Sequence, residues 1–268
     1  MRKLFALALA LCLVFALGGC SIGFGGINIG LRTVRGNRNV VEQVFHFTPP
    51  AFEPPEEGEV WDMFSLTVLN INFSLRGNTR TRIVVDETLG NTIVIATDEN
   101  LMQEFAATPM PDGGGLTITG WQGRRLAPSE FTITTGVPIT HLQVEGAWNI
   151  SYNHTGTPYA QITINGAVNG DFNFGTLDSL NVQVNGAGDI DLRGETPSVL
   201  LEVNGASSIH AFDLIAETAE VTVNGAGSAE LTATERLDAT INGVGNITFD
   251  GSPTVNRQIN GIGRIQAR

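Results

Sequence analysis

The chain has 268 residues, of which 32 are glycine and only 16% are charged, and its formal net charge is −12. An acidic surface repels nucleic acid and anionic lipid headgroups, so this balance argues against a nucleic-acid-binding protein and against membrane contact through a basic patch. The high glycine content and the single lysine favour short strands joined by tight turns, and they predict an all-β protein.

Residues 1–19 have the composition of a bacterial lipoprotein signal peptide. Arg2 and Lys3 precede an apolar run, residues 4–17, that is shorter than the about 20 residues a membrane-spanning helix needs. The run is followed by a Leu-Gly-Gly-Cys sequence ending at Cys20, which resembles a lipobox, where cleavage precedes the cysteine and its sulfur carries lipid. We therefore predict an exported protein that is held to a membrane of the cell envelope by lipid on Cys20.

Cleavage before Cys20 would leave a mature chain with one cysteine, because Cys12 lies in the signal peptide. Stability must then come from packing and backbone hydrogen bonds rather than from disulfides. Cleavage would also remove Arg2 and Lys3 from the 15 basic residues and leave 27 acidic ones, a formal charge of −14. The glycine-rich residues 20–30 predict a flexible tether between the lipid and the folded body.

Residues 31–138 predict an N-terminal β region with one long insertion. The insertion, residues 48–58, contains four prolines, which cannot donate to a strand ladder, so it is predicted to be a surface loop. Residues 98–105 predict one short connector helix with Asp98 as its N-cap. Alternating apolar residues predict half-buried strands at 33–36, 40–47, 64–72, 80–86, 92–96, 116–119 and 131–135.

Residues 139–268 repeat a single unit built around a glycine corner. The corners begin at Glu145, Asn165, Asn185, Asn204, Asn224, Asn242 and Asn260. Asn-Gly between alternating residues is also a strong hairpin signal. The nearly equal spacing of the corners nevertheless favours a parallel β-solenoid with rungs of about 18 to 20 residues over an antiparallel meander. Glycine and asparagine tolerate positive φ, which we take as the reason for their place at the corner.

Stacked rungs lie about 4.8 Å apart, so each corner residue is expected directly above the corner residue of the rung before it. An amide ladder like those of cross-β stacks is then predicted for Asn165, Asn185, Asn204, Asn224, Asn242 and Asn260. Glu145 stands at this position in the first copy and would not continue the ladder.

The repeated Val-Asn-Gly-Ala-Gly units behind a lipobox resemble the auto-transporter adhesin head GIN-domain family of bacterial envelope proteins. The resemblance extends to residues 98–101 and 115–118. It implies a right-handed parallel β-helix, an envelope location and an adhesin-like role, and it supplies no catalytic residues. The proline-rich insertion and Glu145 depart from the pattern of the family.

The sequence predicts no metal site, no cofactor and no catalytic nucleophile. Its four histidines lack metal-ligand spacing, and it contains neither a nucleophile elbow nor a phosphate-binding loop. The candidates for surface contacts are Asp171, Asp189 and Asp191, which should project from one side of neighbouring rungs. Trp148, beside the first corner, is a further candidate, which would either stack on a sugar ring or cover the first rung.

Three functions are compatible with these features. We favour a lipid-anchored, non-enzymatic solenoid whose acidic surface contacts a glycan or an envelope protein, because the sequence combines a lipobox and a repeat array with no catalytic constellation. The first alternative is an enzyme that cleaves polysaccharide with the outer carboxylates. The second is a structural protein that self-associates as a homo-oligomer through its C-terminal edge, where residues 258–268 show no evident cap.

Overall fold

The computed structural model describes residues 32–46, 68–72, 81–109, 115–120, 124–153 and 159–268. The predicted signal peptide, Cys20, the tether and the proline-rich insertion lie outside these residues. Within these ranges one 3-10 turn, Glu87–Leu89, and one α-helical turn, α1 (Glu99–Met102), are the helical elements, and the other elements are β-strands. The strands are β1 (Arg32–Arg35), β2 (Val40–His46), β3 (Val68–Asn72), β4 (Thr81–Val85), β5 (Thr92–Asp98), β6 (Phe105–Pro109), β7 (Gly115–Gly120), β8 (Arg124–Ala127), β9 (Phe131–Thr135), β10 (His141–Glu145), β11 (Ala147–Asn153), β12 (Tyr159–Ile164), β13 (Ala167–Thr176), β14 (Ser179–Val184), β15 (Ala187–Val203), β16 (Ala206–Val223), β17 (Ser228–Ile241), β18 (Val244–Asp250), β19 (Thr254–Ile259) and β20 (Ile262–Ala267).

The repeat region is a parallel β-solenoid, which confirms the predicted fold class. The strand segments that enter the corners stack on one another, as Val182 on Leu201 does, and the segments that leave the corners stack in the same way, as Ile190 does on Ile209. Every strand pairing between β10 and β20 is parallel. Equal steps along the sequence therefore bring equivalent residues side by side. The right-handed winding of the coil stays a prediction.

Apolar side chains of successive rungs stack in columns inside the coil. The column just before the corners is at most 1% exposed, so each member gains about 1.5–3 kcal/mol from burial of its side chain. It consists of Val144, Ile164, Val184, Val203, Val223 and Ile241. These side chains alternate with polar outward ones, which is the pattern that places one side of each strand against the core.

The size of the side chains that fill the core varies along the coil from the N-terminal to the C-terminal rungs. Aromatic rings fill the first part, where the ring centroids of Phe131 and Trp148 are 5.8 Å apart and those of Tyr152 and Phe174 are 5.5 Å apart. Buried alanines fill much of the later part, at Ala211, Ala216, Ala229, Ala233 and Ala239. The spacing between successive corners also decreases slightly in the same direction. Each rung thus encloses a different set of side chains.

The N-terminal rungs do not stack in chain order. Strand β3 pairs with β10 on one side and with β7 on the other, and β4 lies in the same way between β11 and β9. The rung formed by β7 and β9 therefore lies outside the earlier rung formed by β3 and β4. Antiparallel pairs continue outward from it: β5 pairs with β9, β2 with β5, and β6 with β7. A separate parallel pair joins β1 and β8.

Asp98 is a buried anchor rather than a helix cap. Its side chain forms no capping hydrogen bond with α1. It is fully buried and accepts hydrogen bonds from the backbone N–H of Arg38, and from the backbone N–H and hydroxyl of Ser129 at 2.6 and 2.7 Å. Burial raises the pKa of Asp98, but the hydrogen bonds from Ser129 and Arg38 together hold it below its usual value. The predicted helix at 98–105 is also too long, because β6 already begins at Phe105.

Candidate functional site

The corner glycines are needed because neighbouring backbones touch there. A Cβ added at Gly186 would overlap the carbonyl oxygen of Gly166, and one at Gly225 would overlap that of Gly205. Neither the glycines nor the asparagines of the Asn-Gly corners have positive φ. The conformational reason predicted for this dipeptide is therefore wrong, and close approach between rungs replaces it.

The six corner asparagines form one hydrogen-bonded column. The side-chain amide of each donates to the side-chain carbonyl of the asparagine one rung earlier, over distances of 2.7–2.9 Å. The bonds run from Asn185 to Asn165, from Asn204 to Asn185, from Asn224 to Asn204, from Asn242 to Asn224 and from Asn260 to Asn242. Because one asparagine satisfies the next, this column stabilises the corners rather than presenting free amides to a ligand.

Asn204→Ala is expected to lower the free energy of unfolding by about 1 kcal/mol, because it breaks an exposed hydrogen bond on each of its two sides. Asn260→Ala breaks one such bond and should cost about half as much. Urea denaturation of both variants measures the difference. Equal losses at the two positions would show that the ladder does not contribute as a chain of bonds.

The outward side chains beyond the corners form an acidic strip, defined here as Asp171, Asp189, Asp191, His210 and Glu230. Strand register places Asp191 beside Asp171 on one side and His210 on the other, and Glu230 follows His210. Asp189 lies two residues before Asp191, on the same side of β15. An open groove of about 270 Å³ along the strip is lined by Asn149, Ile150, Asn169, Gly170, Asp171, Asp189 and Asp191.

The carboxylates of the acidic strip differ in their partners. Asp171 forms an ion pair with Arg193, whose Nε also lies 3.8 Å from a carboxylate oxygen of Asp213. The side chains of Asp189 and Asp191 form no ion pair or hydrogen bond with the described part of the chain. Two carboxylates therefore face the groove with their acceptor oxygens available to a ligand.

His210 is the one strip residue that gains positive charge near neutral pH. Its Nδ1 lies 3.0 Å from a carboxylate oxygen of Glu230. The hydrogen bond to Glu230 raises the pKa of His210, partial burial opposes this, and the negative charges of Glu230, Asp191 and Asp189 raise it further. Protonation of His210 thus changes the net charge of the strip close to physiological pH.

We expect His210 to titrate above its usual pKa of about 6.5 in an NMR titration. A raised folded-state pKa adds stability that is fully present below about pH 6.5 and is lost as pH rises through the folded value. The effect on unfolding should be small because the histidine side chain is 43% exposed. Glu230→Gln should return the pKa toward about 6.5, whereas Glu220→Gln should not. A His210 pKa that does not respond to Glu230→Gln would contradict the assignment.

Trp148 is not part of this surface. It is 3% exposed, packs edge to face on Phe131, and donates from its indole N–H to the backbone carbonyl of Glu145 at 3.2 Å. Its ring therefore lies inside the coil and packs within the first rung. The prediction that Trp148 is an exposed contact residue is wrong, because its ring fills the wide part of the core.

Four polar residues of this face were missed by the sequence reasoning. Asn149 and Asn169 are joined by a side-chain hydrogen bond of 3.1 Å and lie in the column of Asp189. His210 and Glu230 lie in the column of Asp191. Each lies the same number of residues after its corner as the aspartate of its column, so counting from the corners would have found all four.

Among the described residues there is no metal centre, and the apolar cavity inside the coil is very small. No group of three or more His, Cys, Asp or Glu in that part of the chain is arranged to hold a metal ion. No helix among those residues is long and apolar enough to cross a bilayer. The apolar cavity beside Tyr152 and Phe174 has about 10 Å³, which is at the lower limit for a single water molecule and too small for a larger ligand.

A family model with the description "Putative auto-transporter adhesin, head GIN domain" matches residues 73–253, more than half of the chain. The chain belongs to this family. The matched range runs from the N-terminal rungs through β18 and so covers most of the solenoid. The family name indicates a protein of the cell surface or envelope.

Solved structures share the fold of this GIN-domain protein. A "putative adhesin" from Bacteroides fragilis NCTC 9343 has a TM-score of 0.66 at 20% identity, over 88% of this chain and 100% of that one. A "putative lipid binding protein" from Parabacteroides distasonis ATCC 8503 has a TM-score of 0.56 at 20% identity, over the same shares. A "putative adhesin" from Parabacteroides merdae ATCC 43184 has 0.55 at 18%, over 88% and 99%. At these identities the likeness establishes the fold alone. A search of curated proteins found no match.

Proposed function

We propose that this GIN-domain protein is a lipid-anchored, non-enzymatic component of the cell envelope that binds an extended ligand along its acidic strip. One observation carries the proposal: the carboxylates of Asp189 and Asp191 are unpaired within the described chain and face an open groove on a rigid parallel sheet. Residues on such a sheet are held in place by backbone hydrogen bonds on both sides. A ligand therefore meets a preformed surface.

The chemistry of the groove favours a neutral glycan. Carboxylate oxygens of Asp189 and Asp191 accept hydrogen bonds from sugar hydroxyls, and the side-chain amides of Asn149 and Asn169 both donate and accept. The formal net charge of −12 disfavours a polyanion. Rungs repeating about every 4.8 Å suit a chain-like ligand that runs across several strands. A polar segment of an envelope protein would offer similar donors and is the other partner to be tested.

A glycan array probed with the wild-type protein and with Asp189→Ala and Asp191→Ala variants tests this proposal. We expect each variant to lose about tenfold or more in affinity, which corresponds to about 1.4 kcal/mol. Glu220→Ala is the matched control, because it removes an exposed carboxylate from the strand segments that enter the corners, away from the strip. If the wild type binds no glycan on the array and retains no envelope protein, the assignment of the strip is wrong. Equal binding by all variants would also overturn it.

Polysaccharide cleavage is the second candidate, and the spacing of Asp189 and Asp191 favours it. The Cα atoms of alternate strand residues are about 6.6 Å apart, so these two side chains can reach the separation of about 6.5–9.5 Å at which inverting glycosidases hold their two carboxyl groups. A depolymerisation assay on the glycans that bind distinguishes the two functions. Turnover that Asp189→Ala abolishes would replace the non-enzymatic proposal with this one.

The lipid anchor is tested independently of the ligand. Metabolic labelling with a tagged fatty acid should mark the wild-type protein, which should fractionate with membranes. Cys20→Ala should lose both properties. Cys12→Ala, which changes the cysteine inside the predicted signal peptide, should retain both. Labelling that survives Cys20→Ala would contradict the anchor.

A further inference from the structure

Exposed large apolar side chains are concentrated at the two ends of the solenoid. Val40 and Val44 lie on β2 at the N-terminal end, and Val244, Ile259 and Ile262 lie at the C-terminal end, with exposures between 42% and 73%. Among the described residues, only Ile215 is such a side chain elsewhere. Apolar groups beside unpaired strand edges are characteristic of surfaces that associate.

The core of the C-terminal rung ends in a positive charge. Arg257 pairs with the buried Ala239 and so takes a core position, and its guanidinium lies 5.6 Å from the ring centroid of Phe249. Residues 251–268 include three arginines and no acidic residue, although the net charge of the whole chain is −12. Within the described chain, β19 pairs only with β17 and β20 only with β18. This end is therefore basic and has unpaired strand edges.

The groove beside β2 at the N-terminal end has the opposite charge. Strand β2 pairs only with β5 within the described chain. A groove of about 620 Å³ between β2 and α1 is lined by Asn37, Glu42, Gln43, Glu99, Asn100, Met102 and Gln103, without any Lys or Arg. Glu99 accepts a hydrogen bond from the side chain of Asn39, and Arg35 and Arg38 lie before β2, outside the lining. Two carboxylates and two exposed valines thus border a strand edge that pairs with none of the described residues.

We propose that copies of this chain associate head to tail, with β20 of one copy beside β2 of the next. The basic C-terminal rung then lies against Glu42 and Glu99, with Arg264 as the arginine that stacks on no ring of the described residues, and the exposed isoleucines and valines cover one another. The free backbone groups of the two edges pair as they do when a strand is added to a sheet. Because the two surfaces are different, each new copy presents the same end again, and the contact builds an open row rather than a closed dimer. This association does not depend on ligand binding by the acidic strip.

Cysteine cross-linking of the full chain in its producing cells tests the contact directly. Gln43→Cys on β2 combined with Gln266→Cys on β20 should give a series of multimers on a non-reducing gel. Either substitution alone should give none, and two single-cysteine chains produced together should give a dimer. Gln43→Cys combined with Thr222→Cys, in the middle of the solenoid, is the control and should give none. Cross-linking by Gln266→Cys alone would indicate contact between identical ends and overturn the proposal, as would the absence of multimers from the double-cysteine chain.

Charge reversal at each end, introduced into the double-cysteine chain, separates a specific contact from a folding defect. Glu42→Arg with Glu99→Arg makes both ends basic, and Arg264→Glu with Arg268→Glu makes both ends acidic, so either variant alone should lose cross-linking. Producing the two variants together should restore it, because opposite charges then meet at every contact. Arg257 is left unchanged because it covers Phe249. The guanidinium of Arg268 lies 4.7 Å from the ring centroid of Phe212, so the circular dichroism of the Arg264→Glu, Arg268→Glu variant is compared with that of the wild type before its cross-linking is interpreted. If both variants keep the circular dichroism of the wild type and cross-linking is not restored, the proposal is wrong.

Discussion

Gly225→Ala should lower the free energy of unfolding by about 3 kcal/mol or more, at the upper end of the cost of overpacking. The added Cβ would overlap the carbonyl oxygen of Gly205. That oxygen already accepts the backbone N–H of Ala226 at 2.9 Å, and the backbone N–H of Asn224 donates to Val203 at 2.8 Å. The two rungs cannot move apart at the corner without lengthening these bonds, so the overlap cannot be relieved locally.

Ala226→Ser is the matched control for this substitution. It adds one heavy atom to the adjacent residue, whose side chain is exposed, and should change stability by less than about 0.5 kcal/mol. Urea denaturation followed by circular dichroism measures both variants. A loss below about 1 kcal/mol for Gly225→Ala would show that close approach is not the reason for glycine at the corners.

Asp98→Ala should also cost about 3 kcal/mol or more, because it leaves buried donors without an acceptor. The carboxylate is the common partner of Arg38, in the segment between β1 and β2, and Ser129, in the loop before β9. Its loss should loosen the N-terminal end before the repeat array. Hydrogen exchange should show faster exchange in β2 and β5 and little change in β16. Uniform exchange changes along the chain would argue against a local anchor.

The stability that Asp98 contributes should depend on pH in one direction. Its pKa is lower in the folded protein than in the unfolded chain, where it is about 3.9, so its contribution is present above that value and is lost as pH falls through the folded value. Asp98→Asn should therefore reduce the acid sensitivity of unfolding below about pH 4. Glu99→Gln, at the exposed neighbouring residue, is the control and should leave that sensitivity nearly unchanged. An unchanged acid profile in Asp98→Asn would contradict the assignment.

The spacing of the corners was sufficient to predict the coil and the column of asparagines. A nearly constant step between like residues determines which strands are neighbours, whichever side chains lie between the corners. The same arithmetic places Asp171 beside Asp191. These features follow from the sequence because they depend only on distances along the chain.

Other features depend on contacts between parts of the chain that no period relates. The pairing of β3 with β10 passes over the intervening rung of β7 and β9, and nothing in the local pattern signals that exchange of order. Asp98 stands where a helix cap would be expected, yet its partners lie 60 and 31 residues away. For the corner glycines, the sequence identified the residue, but only the structure gave the reason.

The differences between the core side chains of successive rungs affect how the chain folds. A stack of identical rungs can pair one step out of place at little cost, because each rung fits every neighbour equally well. In this array a one-step shift would set Leu231 where Ala211 belongs, or Leu192 where the larger Phe172 belongs, and both overpacking and a void are costly in a packed interior. Phe172 and Ala211 therefore help to select a single alignment from a repetitive sequence.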